Sequence, residues 1–156
     1  MIIRNEQPAD IDAIWRVNAD AFQRDNEADL VNALRDAGIP YLSLVAEDAG
    51  AIVGHILFTP MEWVDATSDV RLAGLGPLAV ATTRQRQGIG SRLMDAGLEQ
   101  CRAAGYDVVV LVGHPEYYPR FGFVPAHACG LDLEFDVPTE AFMLIELKQD
   151  ALQGQR

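Results

Sequence analysis

The chain is poor in cysteine and histidine, with two of the first and three of the second in 156 residues. Cys101 and Cys129 form no CxxC spacing and no disulfide framework, and His55, His114 and His127 are too widely spaced for HExxH or a related ligand pattern. Metal chemistry is therefore not expected, and Cys101, on the apolar side of an expected helix, reads as a buried thiol. Long apolar runs are also missing. No stretch approaches the roughly eighteen residues of a membrane span. The opening MIIRNEQPAD lacks the apolar core of a secretion signal, so the expected location is cytoplasmic. Basic residues are scarce, 12 against 23 acidic ones, for a formal charge of −11. Nucleic acid and anionic membrane both need a concentrated positive face, so neither is an expected partner. The acidity suits an amine ligand, although solubility alone would account for it.

What is present is apolar material, 49% of the chain, enough for one substantial core, and residues 1–156 read as a single domain. Ile2 to Arg4 is an expected strand. Helical spacing of Ile11, Ile14 or Trp15, Val17 and Phe22 follows Pro8, and a second helix spans Glu27 to Ala37, where Gly38 stops it. Tyr41–Glu47, Ala51–Phe58 and Asp69–Ala81 read as successive strands, the first two joined by the turn EDAG. Pro77 cannot donate a ladder hydrogen bond, so a bulge or sheet separation is expected near it. From Gly88 to Ala104 the period becomes helical. DVVVLVG, Asp107 to Gly113, then reads as a strand buried on both faces, parallel to the strand before the helix. A strand is expected near Phe123–Ala126, and Ala141–Leu147 reads as the last clear strand. These elements predict an α/β (α+β) fold: a mixed, mostly antiparallel sheet of six or seven strands with helices on both faces.

At the junction between the strand GPLAV and the helix beginning SRLMDAG lies RQRQGIG, Arg84 to Gly90. The first amides of a helix have no intrahelical partners, and Gly88 and Gly90 allow a ligand to approach the backbone closely. A phosphate or pyrophosphate fits such a place, with Arg84 and Arg86 able to add charge. The lysine of a Walker loop is absent and the dinucleotide fingerprint is incomplete. Beyond the buried strand, Tyr117 and Tyr118 stand in an aromatic group, YYPRFGF, where a phenol could either pack or give up a proton.

In these two places the sequence resembles the GNAT superfamily of N-acetyltransferases, and its small bacterial branch in particular. GPLAV, then Q-x-x-G-x-G as Gln85, Arg86, Gln87, Gly88, Ile89 and Gly90, then GHPEYYPRFGF occur in the family's order. The resemblance implies acetyl-CoA as donor. Its diphosphate would be gripped by main-chain amides from Gln85 through Ser91, and its pantetheine arm by backbone groups of Leu78, Ala79 and Val80. It also implies a splay between two central parallel strands, with the Val80 amide polarising the thioester oxygen and Tyr118 protonating the departing sulfur. The acceptor would be a small-molecule amine or a peptide N-terminus. The family's glutamate base has no counterpart between Gly74 and Val80. His55 and Glu27 are the remaining candidate bases, with His114 as a residue that could order the acyl site. The missing carboxylate also leaves a second reading, a non-catalytic acyl-CoA sensor on the same scaffold. Trp63, Phe135 and the last apolar strand would serve either as ordinary core or as the contact of a homodimer.

Overall fold

Helix α1, Ile11–Phe22, forms where apolar residues recur at helical spacing, and it buries Ile14, Val17 and Asn18. Helix α2, Asn26–Asp36, ends as the sequence predicts: Gly38 turns left-handed at φ 72°, and the amides of Ala37, Gly38 and Ile39 bond back to Ala33, Arg35 and Leu34. The structure is a computed structural model that describes residues 1–62, 69–129, 138–149 and 151–152. Trp63 and Phe135 lie outside the described residues.

Seven strands make one sheet: β1 (Ile2–Asn5), β2 (Leu42–Asp48), β3 (Ala51–Met61), β4 (Leu72–Val80), β5 (Val108–Val112), β6 (Val124–Pro125) and β7 (Phe142–Glu146). Their spatial order is β1-β2-β3-β4-β5-β7-β6. The sheet is mostly antiparallel, with one parallel pair, β4 with β5, as the sequence predicts. The chain divides into two compact units, Met1–Thr59 with Leu75–Gln100, and Pro60–Gly74 with Cys101–Arg156.

In the first unit β1 and β3 flank β2 in antiparallel register. A two-residue turn joins β2 to β3, and both its residues, Ala49 at φ 51° and Gly50 at φ 81°, are left-handed, as the twist of a tight hairpin requires. Ile14, Val31, Val45 and Leu57 form a core cluster, with Leu34 and Ile52 packed against it. Helix α3, Ile89–Ala103, begins in this unit and lies close to β3. A Cβ on Gly54 would come within 2.9 Å of Leu93 and 3.1 Å of Ile89, and one on Gly97 would run into the buried Phe58 ring. Gly97→Ala should gain about 1 kcal/mol of helix propensity and lose about 1–3 kcal/mol to overpacking. Urea unfolding should show the variant less stable by about 1 kcal/mol, the difference of those two effects.

In the second unit the parallel ladder covers Leu72–Gly74 and Val108–Val110, and it ends three residues before Pro77, close to where the proline predicted an interruption. Strand β7 pairs antiparallel with β5 and with β6. Val108, Val109, Val110 and Leu111 are all buried, which explains why this strand shows no alternation of polar and apolar residues. Leu72, Val108, Val110, Phe142 and Leu144 share a core with Cys129 and Leu152. Strand β7 therefore packs as core and has a neighbour on each side. No helix among the described residues is long and apolar enough to cross a membrane.

Candidate functional site

After β4 the chain makes a short 3-10 turn, Thr82–Arg84, runs exposed from Gln85 to Gly88, and enters α3 at Ile89. Gly88 is left-handed at φ 82°, a conformation open to glycine without steric cost, and nothing lies within 4 Å of where its Cβ would be. The first bond into α3 runs from the Arg92 amide to the Gly88 carbonyl at 3.1 Å. The amides of Ile89, Gly90 and Ser91 therefore have no intrahelical acceptor, and they meet no protein acceptor among the described residues. They sit at the positive end of a 15-residue helix, an arrangement suited to an anion.

The end of β4 is fixed from two directions. The Ala81 amide donates to the Val53 carbonyl on β3 at 2.9 Å. Alternation along the strand turns the amide of Val80 toward the opposite edge. The Val80 carbonyl accepts from Gln85 Nε2 at 3.1 Å, which ties the loop to the strand. Leu78 is half-buried and Ala79 buried. Arg84, expected to contact the anion, is instead engaged within the protein: it donates to Asp48 Oδ2 at 2.7 Å and to Gln87 Oε1 at 3.1 Å. Arg86 remains exposed, in left-handed backbone at φ 63°.

In the second unit, the His114 carbonyl accepts from the amides of Tyr117 and Tyr118 as the chain turns after β5, and His114 is exposed. Tyr118 is half-buried, edge-on to Tyr117 at 5.0 Å and to Phe123 at 6.0 Å between ring centroids. Its ring lies against Gly113, where any Cβ would collide with it. Burial, then the neighbouring Tyr117, pushes its pKa up to about 12, so the phenol keeps its proton. Its hydroxyl has no hydrogen-bond partner among the described residues. Tyr117 packs against Phe121 and beneath the Arg120 guanidinium, at 4.4 Å from ring centroid to Cζ.

The model of the Acetyltransferase (GNAT) domain matches residues 2–126. The chain belongs to the GNAT acetyltransferase family. It is 36% identical over 155 residues to the uncharacterised N-acetyltransferase YhbS of Escherichia coli strain K12, covering 99% of this chain and 92% of that one. The crystal structure of E. coli YhbS in complex with CoA superposes with a TM-score of 0.92, covering 98% of this chain and 84% of that one. A GNAT acetyltransferase from Brucella melitensis, in complex with acetyl-CoA, is 37% identical with a TM-score of 0.77, covering 93% of this chain and 86% of that one. These likenesses to enzymes do not favour the sensor reading.

Two GNAT candidate bases from the sequence are placed where they cannot act freely. His55 has no exposed surface. Asn18 Nδ2 lies 3.0 Å from its Nδ1 and Ser43 Oγ lies 2.9 Å from its Nε2. An amide nitrogen can only donate, so Nδ1 accepts and the ring proton sits on Nε2, facing Ser43. Burial pushes the His55 pKa down to about 3, with the Arg35 charge adding to it. The expected role of His55 as proton acceptor is therefore corrected: neither nitrogen can reach a substrate. Glu27 is held by Arg24, whose hydrogen bond keeps the carboxylate below its usual range. Sequence reasoning missed Asp20 and Asp48, both of which bind the approach to the loop. The one cue to Asp20 was an acid in the last turn of a helix, against the dipole.

Proposed function

We propose that the protein moves the acetyl group of acetyl-CoA to a primary amine by direct attack, the acceptor being a small molecule or a peptide N-terminus. Three unpartnered amides, of Ile89, Gly90 and Ser91, beside the open Gly88 carry this reading. With Gln85, Arg86 and Gln87 they would hold the diphosphate, while backbone groups of Leu78, Ala79 and Val80 would align the pantetheine arm. The amine lone pair attacks the thioester carbon, the new C–N bond forms and the C–S bond breaks. Charge that develops on the carbonyl oxygen is met by the Val80 amide. The sulfur leaves with the bonding electrons and takes a proton from Tyr118, whose raised pKa keeps that proton available. With no carboxylate between Gly74 and Val80 and His55 sealed away, the attacking amine gives its own proton to water.

Titration calorimetry with acetyl-CoA should give a dissociation constant on the order of micromolar. A panel of amines and peptide N-termini should then release free thiol. No heat and no thermal stabilisation at millimolar acetyl-CoA would overturn the reading.

A further inference from the structure

The approach to the loop is held by two carboxylates from elements remote in sequence. Asp20, in the last turn of α1, accepts the Thr82 amide at 2.8 Å and the Thr82 hydroxyl at 3.2 Å. Asp48, the last residue of β2, accepts Arg84 at 2.7 Å, and the same guanidinium reaches Gln87 inside the loop at 3.1 Å. Both carboxylates and Arg84 are partly exposed and Thr82 is exposed, so this network is not needed to fill a core. Nor does it suit the helix, since an acid in the last turn of α1 faces the negative end of the dipole. Asp48 is held in place by its ion pair with Arg84, and the placement of Asp20 against the helix dipole is accounted for by the turn that it holds still.

We infer that Asp20 and Asp48, acting through Thr82 and Arg84, are positioning residues that preset the loop for the donor's diphosphate. This rests on the reading of the loop given above. Thr82 and Arg84 open and close the 3-10 turn that joins β4 to the loop. Pinning both fixes the direction in which Gln85 to Gly88 leave the strand, and therefore where the amides of Ile89, Gly90 and Ser91 point. Without the pins the loop must be ordered by the ligand, which weakens binding of the diphosphate alone.

Coenzyme A and pantetheine, which share the thiol arm and differ in the diphosphate nucleotide, separate this effect from general damage. Calorimetry, or competition against acetyl-CoA, gives each dissociation constant. The wild type should bind coenzyme A at least about 100-fold tighter than pantetheine. In Asp20→Ala and in Asp48→Ala that ratio should fall about fivefold to tenfold, with pantetheine binding unchanged, while Thr82→Ser should retain the wild-type ratio. A role in stability alone would lower the melting temperature and leave the ratio intact, and that result overturns the inference. A wild-type ratio near one would instead refute the diphosphate reading of the loop, and the positioning role with it. Should Asp20→Ala fail to fold, Asp48→Ala and Thr82→Val carry the same comparison.

Discussion

Tyr118→Phe should lower turnover about 100-fold to 1000-fold while acetyl-CoA binding stays within about twofold. The substitution removes one hydroxyl and keeps the ring, so the edge-on contacts with Tyr117 and Phe123 survive and the fold has no reason to change. The hydroxyl itself meets no protein partner among the described residues, so its loss leaves no orphaned donor or acceptor behind. The expected loss therefore falls on the chemical step, where the departing sulfur would otherwise leave as an unprotonated thiolate. Acceptors can be compared through thiol release under saturating donor. Turnover equal to the wild type would reject the acid role. Tyr117→Phe is the control: that ring packs against Phe121 and lies beneath Arg120, and its change should cost far less. The position of the Tyr118 ring also depends on Gly113, because a side chain there would occupy the space of the ring.

The parts of this fold that were legible in the sequence are those fixed by local chemistry or by burial on a strand. The continuous valines of Val108 to Val110 announced a strand covered on both faces, and Gly38 announced the end of α2, where the backbone turns left-handed. The loop motif placed free amides at the mouth of α3, where they are found. What stayed hidden depends on residues far apart in the chain. Nothing near His55 in sequence shows that Asn18 and Ser43 will take both its nitrogens, and so the imidazole read as a base. Arg84 read as an anion contact because its neighbours suggested a phosphate loop, while its partner Asp48 lies 36 positions away. Side chains with two available uses are assigned by tertiary packing, and local spacing carries no record of that packing.

The same buried imidazole should make the protein acid-sensitive below about pH 6.5. Burial, with the Arg35 charge adding to it, takes the His55 pKa from 6.5 down to about 3. Below pH 6.5 the unfolded chain binds a proton at this residue and the native protein does not, so the unfolded state holds more protons and stability falls as pH falls. The contribution is complete above the unfolded value and is lost progressively as pH drops toward the folded one. The slope approaches about 1.4 kcal/mol per pH unit, which amounts to about 2 kcal/mol between roughly pH 6.5 and 4.5. Asp10 and Asp48 are held low by their hydrogen bonds to Arg4 and Arg84, and because the wild type and a His55 variant both keep them, the difference between the two proteins isolates His55. Urea unfolding of the wild type and His55→Gln at several pH values across that range should show the wild-type stability minus the variant's falling by about 2 kcal/mol, whatever the variant costs at neutral pH. A constant difference would mean that His55 accepts a proton in the native state. The imidazole would then be within reach of water, and its exclusion from the proton-transfer chemistry would no longer hold.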